Sequence, residues 1–273
     1  MKNNILKYNG IVYPQGTIEK ISSLYLDGYS VSKIMETINC KFSTYYVRKV
    51  LNFLNIKNKD LLNAKSLKKL YLVTDSQKQV IYGSLLGDGS ISKRKNKNSN
   101  IGYVFSTSHS NKQYKYIQHQ ADILNVKAGK YIKGENSWSP KSTYYKINYY
   151  NLLFLEQVYN NCILNGIKTV TDEWLNQLTW EGIAYWFFDD GCSFKNKNCK
   201  TVMVEFSTLS FSKYEIDKLI LFLNKFNIKA HTVKSIHGKG FVIRLNSESV
   251  NYFMDNIEKY ATEDVYYKIK RCE

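Results

Sequence analysis

Two short segments of the chain end on a carboxylate followed by glycine: VIYGSLLGDGS at 80–90 and GIAYWFFDDGC at 182–192. Each is apolar or aromatic up to that end, and neither holds a basic residue. Their last aspartates, Asp88 and Asp190, stand 102 residues apart. The chain around them carries 39 Lys and Arg against 23 Asp and Glu, a formal net charge of +16. Carboxylates are hard oxygen donors of the kind Mg²⁺ takes. A divalent cation can supply the activated water and the charge stabilisation that phosphodiester hydrolysis needs. A strongly basic chain points to a polyanionic partner, most often nucleic acid. Segment ends and surface charge therefore imply one substrate class.

These carboxylates need elements to position them, and the chain supplies the same elements twice. VFSTSHSNKQYKYIQHQADIL (104–124) matches EFSTLSFSKYEIDKLILFLNKF (205–226), with their Phe-Ser-Thr starts at Phe105 and Phe206, 101 apart. YYKINYYN (144–151) matches GFVIRLNS (240–247). Lys168 follows Asp88 by 80 residues, and Lys268 follows Asp190 by 78. Four landmarks in near register predict a duplicated unit over 76–171 and 172–273, each helix–strand–strand–helix–strand–strand–helix. The Gly-Lys-Gly of SIHGKGFVIRL predicts a hairpin turn. Gly83 and Gly87, four apart, allow a neighbouring backbone to approach. Tyr185, Trp186 and Phe187 are bulkier, which predicts a small-against-large helix contact, Ala184 as its one small residue, and the aromatics in the core.

Two apolar segments ending in Asp-Gly within a repeat resemble the LAGLIDADG homing endonucleases. IYGSLLGDG (81–89) and IAYWFFDDG (183–191) lie over the family motif, and LTWEGIAYWFFDDG, FSTLSFSKYEIDKLILFL and ATEDVYYKIK extend the likeness over nearly all of 76–273. The resemblance implies an α+β fold, a tandem pseudo-symmetric αββαββα repeat whose sheets form a DNA-binding saddle. It implies a monomeric, site-specific endonuclease making a metal-dependent double-strand break in double-stranded DNA. Mg²⁺ is the expected cofactor, with Mn²⁺ or Ca²⁺ able to replace it in binding. Carried over residue by residue, Asp88 and Asp190 are metal ligands, with the carbonyls of Gly87 and Asp189 as additional ones. The Asp189 side chain is a helix-end hydrogen bonder or a spare carboxylate, outside the catalytic set. Lys168 and Lys268 match the family's basic residues near each scissile phosphate; a solvated surface lysine is the equal alternative for each. A catalytically inactive DNA-binding regulator, or a maturase acting on intron RNA, is the competing function for this fold. The presence of both motif aspartates argues for cleavage.

SKRKNKN (92–98) and KNKNCK (195–200) follow the two motifs at equivalent places. Their Lys93, Arg94, Lys95, Lys97, Lys195, Lys197 and Lys200 are candidate phosphate contacts, and Arg244, with Tyr103, Tyr145 and Asn148, a candidate base reader. Before the repeat, residues 1–57 predict a small all-α domain. TIEKISSLYLDG, YSVSKIMETINC with Ser30 as N-cap, and STYYVRKVLNFL with Ser43 as N-cap resemble a helix-turn-helix. Its third helix would turn Thr44, Tyr45, Arg48 and Lys49 toward DNA; three short helices also make a generic bundle. Residues 58–75 read as a basic linker. Five Cys without a CxxC pair and four His without ligand spacing predict reduced thiols and no structural zinc. Four scattered arginines, 48, 94, 244 and 271, argue against a recombinase. No apolar run is long enough to span a membrane and no signal peptide is visible, which predicts a cytoplasmic (bacterial or phage) or organellar protein, not a secreted one.

Overall fold

The computed structural model describes residues 7–8, 11–12, 17–26, 29–38, 44–53, 73–95, 101–134, 142–195, 201–235 and 240–272. They fall into two units, Met1–Val73 and Thr74–Glu273.

The first unit holds a short antiparallel pair, β1 (Lys7–Tyr8) with β2 (Ile11–Val12), and three helices, α1 (Thr17–Leu26), α2 (Val31–Thr37) and α3 (Thr44–Phe53). The pair adds strands to what reads in sequence as an all-α block. Ser30 caps α2, its hydroxyl accepting from the Lys33 N–H at 3.2 Å. Ile21, Tyr25, Val31, Ile34, Val47, Val50 and Leu51 form the core, the faces that helical spacing predicts to point inward. Ser43 and linker residues 58–72 lie outside the described residues.

The second unit runs α4 (Asp75–Leu86), β3 (Ser90–Lys95), β4 (Ile101–Ser110), α5 (Tyr114–Ile123), β5 (Gly129–Lys133), β6 (Ser142–Tyr149) and α6 (Leu152–Cys162). A small hairpin, β7 (Ile163–Leu164) with β8 (Ile167–Lys168), and the short α7 (Asp172–Leu175) lead into the second copy. That copy is α8 (Trp180–Asp190), β9 (Gly191–Lys195), β10 (Val202–Ser207), α9 (Lys213–Asn224), β11 (Ala230–Lys234), β12 (Phe241–Leu245) and α10 (Ser247–Ile257). Two antiparallel sheets repeat one order, β3-β4-β6-β5 and β9-β10-β12-β11. The αββαββα unit therefore occurs twice. Capping boxes start α4 at Thr74, with Gln77, and α9 at Ser212, with Glu215. The Gly-Lys-Gly turn lies outside the described residues apart from Gly240, which has φ +137°. No helix among the described residues is long and apolar enough to cross a membrane.

Strand pairing corrects one landmark. Phe105 faces Ile91 and Tyr149, whereas Phe206 faces Gly191 and Ile243. With Ile147 taken as the counterpart of Ile243, the counterpart of Phe206 is Thr107, which pairs with Ile147. The two Phe-Ser-Thr runs are thus two residues out of structural register. An even slip keeps each side chain on its face, so the sequence match looks sound while naming the wrong partners. By the same register, His109 stands where the second copy has Thr208.

Helices α4 and α8 pack through glycine. A β-carbon on Gly83 would land on the Gly182 carbonyl, and one on Gly87 would lie 2.5 Å from the Asp189 β-carbon. The contact at Gly83 is therefore backbone to backbone, small against small, and Gly182 rather than Ala184 supplies the second small residue. The large residues turn elsewhere: Trp186 and Phe187 pack on Phe206 at 4.1 and 5.5 Å between ring centroids, and Tyr185 lies beside Tyr116. All three are fully buried, as the sequence predicts. Gln79 of α4 clamps the start of α8. Its Oε1 accepts from the Thr179 N–H and its Nε2 donates to the Gln177 carbonyl, both at 2.8 Å.

Candidate metal centre and nucleic-acid face

Because α4 and α8 pack along their lengths, their C-terminal ends deliver acids to one place. Asp88 follows α4, and Asp189 and Asp190 close α8. The Asp88 side chain is about half exposed and Asp190 is half-buried. Burial, then the Asp88 charge, pushes Asp190 up to about 6, against the pull of Lys168 and Lys268. Asp189 is different: its side chain is fully buried. Burial, then the Asp88 charge, holds its carboxyl well above the usual range, with the Tyr116 and Ser84 hydroxyls pulling the other way. Tyr116 donates to Asp189 Oδ1 at 2.7 Å, while Oδ2 has no partner within hydrogen-bond distance. Three carboxyl groups crowded at one helix interface create a local demand for positive charge. Oxygen donors of this type fit a hard divalent cation.

A histidine joins them. His109 enters from β4, its side chain 1% exposed, with Nδ1 3.6 Å from Asp88 Oδ2 and Nε2 3.6 Å from Asp189 Oδ1. Burial lowers it to about 4 against the opposing Asp88 charge, so the ring is neutral at neutral pH. Sequence reasoning missed His109, the buried role of the Asp189 side chain and the Tyr116 contact. The available signal was a histidine in the first copy with no counterpart in the second, and the misleading Phe-Ser-Thr match hid it.

The two lysines converge on the motif helices from unlike elements. Lys168, on β8, donates to the Leu85 carbonyl at 3.0 Å. Lys268, in a 3₁₀ turn, donates to the Phe188 carbonyl at 2.6 Å and the Asp189 carbonyl at 3.2 Å. Burial lowers both, with the nearby aspartates opposing. Neither is a solvated surface lysine. Each places a cation on the last turn of a motif helix, where free carbonyls collect. The Asp189 carbonyl, which the resemblance offers to a metal, accepts from Lys268; Gly87 ends α4 as its C-cap.

Lys93 and Arg94 are exposed on β3, and Lys195 is exposed at the end of β9. Lys95 ends β3, but its side chain, like Lys97, Lys197 and Lys200, lies outside the described residues. Arg244 on β12 is held by Glu205 of β10, its Nε donating to Oε1 at 2.7 Å. A concavity of about 550 Å³ runs along the second sheet from Asp190 past Cys192 and Phe194 to Glu205 and Arg244. The acid end of α8 thus opens onto the sheet that carries the candidate base reader. In the first unit, Thr44 and Arg48 are exposed on α3; Tyr45 and Lys49 lie on the same helix, with side chains outside the described residues.

Residues 78–253 match the LAGLIDADG DNA endonuclease family. The cytochrome b mRNA maturase bI2 of Saccharomyces cerevisiae is 30% identical over 205 residues, covering 70% of this chain and 46% of the maturase. The chain thus spans under half the length of that relative. The probable intron-encoded endonuclease 1 of Wickerhamomyces canadensis is 26% identical over 226 residues, covering 78% of this chain and 96% of that protein. In structure, the chain is similar to the homing endonuclease I-WcaI bound to its DNA recognition sequence. The TM-score is 0.66 at 23% identity, over 76% of this chain and 91% of that one, a likeness of fold.

Proposed function

The chain belongs to the LAGLIDADG DNA endonuclease family, and from that premise we propose that it cleaves both strands of double-stranded DNA at a specific site with a divalent cation, Mg²⁺ foremost. The observation that carries the reading is the paired ends of α4 and α8, each presenting a motif aspartate beside a lysine bound to the last turn of the helix. Asp88 and Asp190 would hold the cation, with the Gly87 carbonyl as a further ligand and the Asp189 carbonyl shared with Lys268. The bound ion would supply an activated water and stabilise charge on the phosphate. Lys168 and Lys268 fix the helix ends and raise the local positive potential near the scissile phosphates. Lys93, Arg94, Lys95, Lys97, Lys195, Lys197 and Lys200 meet phosphates, while Glu205 holds the Arg244 fork in place for a base edge. The N-terminal block, 1–57, adds a tethered DNA-binding module, with Thr44, Tyr45, Arg48 and Lys49 on α3 as its contacts. An intron or similar mobile element in bacterial, phage or organellar DNA is the setting this implies.

The likeness to a yeast mRNA maturase favours one competing reading, an RNA-binding role for the same fold. Cleavage of the uninterrupted DNA that flanks the coding element distinguishes them. Asp88→Asn and Asp190→Asn should each abolish cutting with Mg²⁺ while leaving DNA binding within a fewfold of wild type. A double variant that still cuts overturns the assignment. Deleting residues 1–57 should weaken binding and leave the chemistry; unchanged affinity and site length would remove the role given to that block.

A further inference from the structure

We propose that Asp88, His109 and Asp189 form a second cation site, one that takes a transition ion such as Zn²⁺ or Mn²⁺ in preference to Mg²⁺ or Ca²⁺. One ligand atom from each residue lies within 4.8 Å of the others. Bonds of about 2.0–2.2 Å set ligand atoms roughly 3–4 Å apart, so closure on an ion asks for small side-chain movements only. His109 lies 3.6 Å from a carboxylate oxygen on either side and would ligate through one ring nitrogen.

The second observation is the fully buried Asp189 carboxyl group, whose Oδ2 has no partner within hydrogen-bond distance. A buried polar atom left unpaired is costly, and a cation satisfies it. Tyr116 holds the other oxygen at 2.7 Å, the outer contact that orients a ligating carboxylate. Two ligands are buried while the Asp88 side chain is 46% exposed, which leaves an open coordination position on the solvent side. An imidazole nitrogen in the set favours Zn²⁺ most, and Mn²⁺, though at home among oxygen ligands, accepts one more readily than Mg²⁺ or Ca²⁺. Among the described residues the site occurs once. In the second copy Thr208 stands in place of His109, and Gly87 is the counterpart of Asp189. The proposal shares Asp88 with the cleavage centre but does not involve Asp190.

The test is pulsed electron paramagnetic resonance of Mn²⁺ added to the full chain without DNA. Expected is ¹⁴N coupling from one directly bound imidazole. It should persist in Asp190→Asn, which tests the cleavage centre separately, and vanish in His109→Gln. Mn²⁺ bound by wild type without nitrogen coupling, or coupling retained in His109→Gln, overturns the second site and leaves the cleavage reading standing. If His109→Gln does not fold, wild-type chain with ¹⁵N-labelled histidine serves: replacement of the ¹⁴N signal by ¹⁵N supports the site, and a persisting ¹⁴N signal overturns it.

Discussion

Alanine in place of Gly83 and of Gly182 separates backbone crowding from helix propensity. Both positions are helical, so alanine gains up to about 1 kcal/mol at either. At Gly182 the new β-carbon meets side-chain ends, Gln79 Oε1 at 2.5 Å and a Leu178 methyl at 2.6 Å. Those can move, but Gln79 then gives up its bonds to Thr179 and Gln177, about 1 kcal/mol each. The net loss at Gly182 is about 1 kcal/mol. At Gly83 the β-carbon meets the carbonyl, carbonyl carbon and Cα of Gly182, all backbone. The helices must part, and overpacking of this kind costs about 1–3 kcal/mol or more. We expect Gly83→Ala to lose about 2 kcal/mol net. Parting the helices also displaces Asp88 from Asp190, and a misplacement of about 1 Å costs roughly 100-fold in rate. Urea unfolding followed by tryptophan fluorescence reads the larger unit alone, because Trp138, Trp174, Trp180 and Trp186 all fall within it. A Gly83→Ala protein as stable as Gly182→Ala, or more stable than wild type, refutes the backbone contact.

Two further outcomes follow from the same region. Lys268→Met strands two carbonyls and Lys168→Met one, at about 1–3 kcal/mol for each buried group left unpaired, so calorimetry in EDTA should rank wild type above Lys168→Met and Lys268→Met lowest; equal melting temperatures count against the caps. For pH, Asp190 is raised from 3.8 to about 6, so the metal-free folded chain holds an extra proton in that window and gains stability as pH falls through it, and Asp189 acts in the same direction. His109 is lowered from 6.5 to about 4, so its contribution is present above 6.5 and is lost as pH falls toward 4. The two oppose. His109→Gln should therefore gain up to about 2 kcal/mol more than wild type does when pH drops from 7 to 5, measured by urea midpoints in EDTA; identical pH slopes would contradict it.

The duplicated unit, its element order and the motif helices were legible because they rest on period and spacing. Apolar runs ending at Asp88 and Asp190, and strand segments at matching intervals, survive loop differences between the copies. What failed was register within a strand. Phe105 and Phe206 head identical tripeptides, yet the pleat has a period of two, and a two-residue slip leaves every hydrophobic residue on its proper face. That hid the equivalence of His109 with Thr208. The Asp189 side chain was unreadable for another reason. Its burial depends on the missing β-carbon of Gly87, 102 residues away, and on the Tyr116 hydroxyl from α5. The lysines sat between these cases: spacing found Lys168 and Lys268, but only the fold shows that a hairpin and a 3₁₀ turn bring them to carbonyls at the ends of the two motif helices.

The Gly87–Asp189 contact also bears on whether the two halves are interchangeable. The two residues occupy equivalent positions in the repeat, so they meet across its pseudo-twofold axis. Two identical first halves would set glycine against glycine there and leave a gap. Two identical second halves would drive a pair of aspartate β-carbons into the space that one glycine now vacates, and would bury both acids together. The difference at this one position leaves neither half a surface that matches itself here, so two copies of either half would need a change at 87 or 189 before they could pack as these two do.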